Sequence, residues 1–382
     1  MHHHSPTFPK QRLESLDALR GLDLFCLVVL ESILYAWDDV YDAPWFEQSM
    51  WYFRHVNWEG FSSWDIVMPL FLFMAGVSIP FSLAKYRQTE GKAQAYKRII
   101  KRVIILWLLG MICEGNLLSL DPSRINLYSN TLQAIAIGYL IASIAYLHTK
   151  WRGQIALSIS LLLAYWYIME YTKAGVYGGG DYSPEHNMAE WVDRAVLGPY
   201  RNFATIENGT VHFADFYHYT WVLSSLTFGV TTLTGLMAGE LLKNPAILPL
   251  NKSIILPLAG IAMACAGWAW HLHMPVIKKI WTSSMVLVSS GYCFILMGIF
   301  YYIIDYKKHN KHITWLKIYG TNSIAAYMLT LCISFRSIAH SLFHGLEQYL
   351  GCYYPPFLTL INTLIIFLIL AHLYKKQLFL RV

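Results

Sequence analysis

"RHVNWEGFSSWDIVMPLFLFMAGVSIP", residues 54–80, decides the fold. From Ile66 to Pro80 it is an apolar run broken only by Ser78, while Arg54, His55, Asn57, Glu59 and Asp65 crowd the edge of that run. An apolar run of about 20 residues is what a helix needs to cross a hydrocarbon core. Polar groups at that edge are costly unless they have partners or a task. The stretch therefore predicts a membrane span with a chemically active rim.

Working outward, the whole chain has the same character. Its 382 residues are 56% hydrophobic and only 14% charged, with a mean hydropathy of +0.39, where a soluble domain carries about 25% charged residues. Apolar blocks fall at 17–37, 61–84, 99–119, 131–148, 154–171, 220–242, 254–272, 283–304, 314–335 and 356–374. These ten blocks predict an all-α, polytopic integral membrane protein. The short alternating segments of an outer-membrane barrel are not its pattern. No short apolar core followed by a small-residue cleavage site marks a signal peptide. Residues 1–11, which begin "MHHH", read as a flexible segment or a tag remnant.

Charge predicts orientation. With an N-terminus in the cytoplasm, the alternate loops on that side hold 21 of the 29 Lys and Arg residues, and eight remain for the other side. That bias is the positive-inside pattern, and ten spans then leave both termini cytoplasmic. The formal net charge of +6 is thereby absorbed by topology. The basic patches are too short and scattered for nucleic acid.

The outer loops differ in kind. Loop 38–60 carries Asp38, Asp39, Asp42, Glu47 and Glu59 among Trp and Tyr residues, and loop 172–219 is long enough to build a binding site. Carboxylates with aromatic rings suit a sugar, although an interfacial aromatic belt accounts for most of the Trp and Tyr residues. "MAEWVDRAVLG", 188–198, predicts a short amphipathic helix ended by glycine. The six cysteines imply no disulfide framework, with Cys352 alone on the outer side. "HLH" at 271–273 has poor metal spacing, and neither a P-loop nor a Cys/His zinc pattern occurs. No metal is expected.

Several polar residues fall inside the predicted spans: Asp23 and Glu31 in the first, Asp65 opening the second, Glu114 and Asn116 in the third, Gln133 opening the fourth and Asn322 in the ninth. Glu31 lies about two turns beyond Asp23, so the two can share a helix face. Buried ionisable groups point to a substrate path or proton relay. Asn116 and Asn322, taken singly, are explained by helix–helix hydrogen bonds.

Six segments then act together: "RLESLDALRG" at 12–21, "HVNWEGFSSWDIVMPLFLFMAGVSIP" at 55–80, "NTLQAIAIGYL" at 130–140, "WVDRAVLG" at 191–198, "PVIKKIWTSSMVL" at 275–287 and "GTNSIAAYML" at 320–329. In this order they resemble the successive signatures of the heparan-α-glucosaminide N-acetyltransferase family, a transmembrane acyltransferase group that includes bacterial NagX-like proteins. The resemblance implies one transmembrane acyltransferase domain over 1–382, in a bacterial inner membrane. It implies transfer of an acetyl group from cytosolic acetyl-CoA to the amine of a glucosamine-type sugar on the far side. The partners expected are acetyl-CoA, an amino-sugar acceptor and membrane lipids, with a homodimer allowed and no nucleic acid.

The resemblance also implies a catalytic histidine, His55, and puts Glu31 where the family carries an Asn. The acceptor amine must lose a proton to attack a thioester, and histidine's ordinary pKa of ~6.5 suits that task. A carboxylate at Glu31, Glu59 or Asp65 would orient the ring, and Asn57, Asn322 or the Lys278–Lys279 pair would stabilise an oxyanion. Asp17, Arg20, Trp58, Glu59, Gln133, Lys278, Lys279, Trp281 and Asn322, the polar and aromatic members of these motifs, are candidate substrate contacts. Lys97, Arg98, Lys101, Arg102 and Lys317, at the basic ends, are candidate contacts to the CoA phosphates. An acetyl-His55 intermediate is the alternative to direct transfer. The rival function is an amino-sugar transporter, and binding of CoA separates the two.

Overall fold

A computed structural model describes residues 13–87, 91–115, 117, 121 and 125–380. Arg12 and Asn116 lie outside the described residues. The described residues are mostly helical. In order, α1 is Glu14–Phe25, α2 Glu31–Asp38, α3 Pro44–Met50, α4 Val67–Arg87, α5 Lys92–Cys113, α6 Thr131–His148 and α7 Trp151–Tyr171. There follow α8 Met188–Leu197, α9 Ser225–Lys243, α10 Pro249–Trp270, α11 Ser283–Phe300, α12 Thr314–Thr321 and α13 Ser323–Cys332. The last three are α14 Arg336–Phe343, α15 Glu347–Leu350 and α16 Tyr354–Lys375. Two antiparallel two-stranded ribbons, β1 Lys173–Ala174 with β2 Tyr177–Gly178 and β3 Thr205–Glu207 with β4 Thr210–His212, decorate the long loop.

Each predicted block holds a helix or a broken pair of helices. Among the described residues, six helical segments are long and apolar enough to cross a membrane: Ser63–Arg87, Thr131–His148, Trp151–Tyr171, Pro249–Trp270, Ser283–Tyr306 and Arg336–Lys375. The chain is thus a helical membrane protein. The other four blocks fall short for physical reasons. The first carries Asp17, Arg20, Asp23 and Glu31, and a π-helical turn, Cys26–Leu30, interrupts it. The second of the four, α5, opens with a basic turn; α9 is rich in Thr and ends in Glu240 and Lys243; α12 and α13 break at Asn322.

Apolar burial alone cannot tell a lipid-facing helix from a helix-facing one, so close packing needs small residues. At Gly235 of α9 an added Cβ would lie 1.9 Å from the Phe73 carbonyl oxygen of α4, so only glycine fits there. Phe73, Met74 and Val77 of α4, with Ala238 and Leu242 of α9, fill the core beside this contact.

The two ends of α4 separate two kinds of surface, about 30 Å apart for its length. At the Arg87 end, Arg87 pairs with Glu240 at 2.6 Å and donates to the Thr149 carbonyl, and Lys243 caps the Pro80 carbonyl. The Ser15 amide donates to Asp305, and Lys317 pairs with Glu14 at 2.9 Å. The segments at 85–102, 149–152 and 240–243 therefore meet at this end. The other end carries the loops 39–62 and 172–219 with the turn 271–282.

Candidate active site

The start of α4 builds the site. Ser62 and Asp65 form a capping box in which Asp65 Oδ2 accepts from the Ser62 amide at 2.9 Å and its hydroxyl at 3.0 Å. Such a box satisfies the orphan amides of the first turn. It also fixes Asp65, which is 1% exposed, with its second oxygen turned to other partners. Oδ1 lies 2.8 Å from His55 Nδ1 and 3.2 Å from Lys278 Nζ.

Lys278 is 223 residues from His55, and a backbone pairing brings it there. The Gly60 amide donates to the Val276 carbonyl at 2.8 Å, and Glu59 bridges Ile277 in antiparallel fashion. Gly60 has φ +120°, a backbone conformation that a side chain would disfavour. Trp58 Nε1 donates to the Tyr182 carbonyl at 2.9 Å, tying the same loop to the segment after β2. The motifs "HVNWEG" and "PVIKKIW" are thus two halves of one construction.

Lys278 Nζ also lies 3.0 Å from His55 Nδ1. One ring nitrogen cannot both donate to a carboxylate and accept from an ammonium. The shorter contact assigns the Nδ1 proton to Asp65, with Lys278 as a neighbouring charge tied to the same carboxylate. His55 Nε2 then keeps its lone pair. Burial pushes the Lys278 ammonium below the ordinary lysine range, with Asp65 pulling the other way.

His55, Lys278 and Glu31 line one cavity of about 530 Å³. Glu31 immediately follows the π-turn, and an extra residue in a helical turn re-aims the side chains beyond it. Asp23 is buried at 2% exposure and does not line the cavity, whereas Leu27, midway between it and Glu31, does. Glu114, Asn130 and Asn202 line another part of the wall, and Tyr217, Tyr219 and Trp221 add aromatic surface. Glu114 Oε1 accepts from Asn130 Nδ2 at 3.0 Å and Oε2 from Asn202 Nδ2 at 3.2 Å.

The remaining sequence candidates lie elsewhere. Asn57 is exposed, and Glu59 faces His271 at 3.5 Å. Lys279 sits over the Tyr219 ring at 5.8 Å, and burial lowers its pKa. Gln133 is spent on capping α6, accepting from the Ser129 and Asn130 amides and donating to the Leu127 carbonyl. Trp281 is buried, its indole donating to Thr231. Asn322 holds the C-terminal segment through the Leu378 carbonyl and the Leu380 amide. Asp17 and Arg20 lie on α1 near its contact with α12, 3.9 Å apart. Lys97, Arg98 and Lys101 are exposed on α5, Arg102 covers the Tyr139 ring at 4.2 Å, and all lie toward the Arg87 end with Lys317. Among the described residues no cluster of His, Cys, Asp and Glu could hold a metal ion.

Sequence reading met Glu114 only as one of several buried ionisable groups that point to a substrate path or proton relay, and it passed over Asn130 and Asn202. Asn130 opens the fourth motif, which was a usable signal, whereas Asn202 lies in a loop with no pattern around it.

Residues 12–177 match a family described as a domain of unknown function, DUF5009. The mouse heparan-alpha-glucosaminide N-acetyltransferase is 24% identical over 344 residues, covering 78% of this chain and 50% of the relative. The human enzyme of the same name is 23% identical over 345 residues, covering 78% and 49%. The chain spans about half the length of these relatives. Homology to them agrees with the motif resemblance.

Proposed function

Because the chain is homologous to heparan-alpha-glucosaminide N-acetyltransferases, we propose that it is a membrane acetyltransferase moving an acetyl group from acetyl-CoA to an amino sugar. The observation that carries the reading is His55 held by buried Asp65, beside Lys278, on the wall of a cavity. The acceptor enters as an ammonium, to which Glu31 is complementary. It loses one proton to solvent and then attacks the thioester carbonyl, forming the N–C bond, while His55 Nε2 takes the second proton. The tetrahedral intermediate expels the CoA thiolate, which recovers a proton from the imidazolium. Asp65 fixes the tautomer and stabilises the imidazolium, as the carboxylate does in a hydrolase triad. The Lys278 ammonium is the nearest cation for the oxyanion.

Acetyl-CoA approaches from the basic end and the sugar from the loop end, so the basic end faces the cytoplasm. Ten spans, both termini cytoplasmic, a single domain over 1–382 and a bacterial inner membrane complete the proposal. Two measurements test it. Acetyl-CoA should raise the melting temperature of the purified protein where adenine nucleotides do not, and glucosamine should become N-acetylated. A protein that carries glucosamine across vesicles without binding CoA would be a transporter instead. For orientation, cysteine at Asp42 or Glu185 should react with an impermeant reagent from outside; protection of both reverses the assignment. With acetyl-CoA alone, direct transfer releases no CoA, whereas an acetyl-His55 route releases one equivalent in a burst.

A further inference from the structure

We propose that Glu114, clamped by Asn130 and Asn202, is the residue that grips the acceptor sugar, and that the cavity takes an amino sugar with no anionic group. The inference rests on the acetyltransferase reading for its substrate and on the cavity for its chemistry. Glu114 caps the end of α5, Asn130 caps the start of α6, and Asn202 comes from the loop after α8, so three separate elements converge on one carboxylate. Both clamping partners are neutral amides. Among the described residues no Lys, Arg or His forms an ion pair with Glu114.

A carboxylate has about four acceptor positions, and the two amides occupy two. The clamp therefore fixes both oxygens in place and leaves acceptor capacity for a ligand's hydroxyl or ammonium groups. Charge points the same way. Lys278 is the cavity's lysine, and Asp65 already lies 3.2 Å from it. Glu31 and Glu114 leave the cavity with an excess of negative charge. A cationic or neutral sugar is welcome in such a space, and an anionic one is repelled. Tyr217 and Tyr219 line the same cavity and offer rings to the C–H faces of a pyranose. A volume of about 530 Å³ suits a monosaccharide with part of an acyl donor.

A purely structural role for Glu114 makes a different prediction, so the test separates binding from folding. The full chain in lipid nanodiscs is assayed for acetyl transfer with glucosamine and with glucosamine 6-phosphate. Its melting temperature is also measured with each sugar and no acetyl-CoA. The wild type should use glucosamine at least about tenfold better by kcat/KM, as expected for like charges brought together in a partly desolvated site. Losing a charged hydrogen-bond acceptor typically costs about ten- to hundredfold in affinity. Glu114→Gln should raise KM for glucosamine by that factor, more than it lowers kcat, and should shrink the discrimination against the phosphate. Asn202→Ala should act in the same direction, more weakly, and carries the comparison if Glu114→Gln does not fold. Unchanged KM and unchanged sugar-induced stabilisation in both variants, or a wild type that prefers the phosphate, overturns the proposal. A sugar-induced shift that depends on Glu114 in a protein that transfers no acetyl group would keep the grip and sink the transferase reading. No shift with glucosamine in the wild type overturns both.

Discussion

The two ends of the bundle use charge differently. At the loop end, Asp65 is 1% exposed and Lys278 11% exposed, and they meet His55 across 223 residues of sequence. At the basic end, charges mostly reach backbone carbonyls or surface partners: Arg87 to Thr149, Lys243 to Pro80, Lys317 to half-exposed Glu14. Burying an ion pair costs desolvation that the attraction between partners roughly offsets, while exposed pairs contribute little either way. A buried, convergent cluster on a cavity is thus expensive to keep without a task. The basic ring is what anchoring in a membrane interface requires anyway. Substitutions at the loop end should accordingly cost far more activity than substitutions at the basic end.

The largest effect is expected at His55. His55→Ala should lower acetyl transfer by about 10²–10⁴-fold, the usual contribution of a general base. Its side chain is about a third exposed, so the melting temperature and acetyl-CoA binding should change little. Near-normal turnover with glucosamine would erase the contrast between the ends and favour the transporter reading.

Asp65→Asn should come next and should differ in kind. The amide cannot at once cap α4, orient His55 and neutralise Lys278. Activity should fall by about 10²-fold or more through the wrong tautomer. Stability should fall by about 3–5 kcal/mol, because a buried lysine loses its counter-charge. The pairing of kinetic loss with a lower melting temperature is what distinguishes Asp65 from His55. A variant that is inactive but fully stable would mean that Lys278 is neutral in the resting protein.

A smaller effect is expected in the long loop 172–219, away from the cavity chemistry. Asp193 of α8 accepts the Trp221 and Val222 amides at 2.8 and 2.9 Å, and burial pushes its pKa up to about 7. The folded state therefore holds a proton that the unfolded state releases near pH 4. Between those limits the folded state binds more protons, so stability should fall as pH rises from about 4 to about 7 and level off above. Asp193→Asn removes that proton exchange and should flatten the melting temperature over this window. An unchanged slope would assign it to other groups.

Spacing decides how far these features were legible in the sequence. The helices were readable because long apolar blocks mark segments that leave water, and α8 runs to the glycine that its pattern predicts. His55, Asp65 and Lys278 were legible as members of motifs. Their meeting was not, because no periodicity encodes a pairing between loop 54–62 and turn 275–278. Glu31 was singled out, yet the π-turn just before it was not, because "CLVVL" at 26–30 gives no local sign of one. Gln133 and Asn322 illustrate the converse. Both are polar residues in spans, and both are used by backbone groups that the sequence does not reveal as needy.

The smallest effects are expected at the basic end, and they sharpen the comparison within a single helix. On α5, Lys97 and Lys101 are exposed, and Ile104 and Leu108, which continue their stripe at helical spacing, are exposed as well. That stripe is the exposed face of α5. Arg102 points the other way. It covers the Tyr139 ring, and its Nε is buried with no hydrogen-bond partner among the described residues. A planar guanidinium with a free donor is suited to a phosphate, while a lysine in the headgroup layer is suited to anchoring. Arg102→Gln should weaken acetyl-CoA binding by about tenfold, in the range of a lost charged hydrogen bond. Lys97→Gln and Lys101→Gln should change it by less than about threefold, as for exposed pairs. Titrations of acetyl-CoA at low and high salt check this, since contacts screened by salt should fade first. Equal losses at all three positions would mean that the donor is drawn in by the whole basic ring. No loss at Arg102 would leave the ring with anchoring alone and move the CoA phosphates to another part of the molecule.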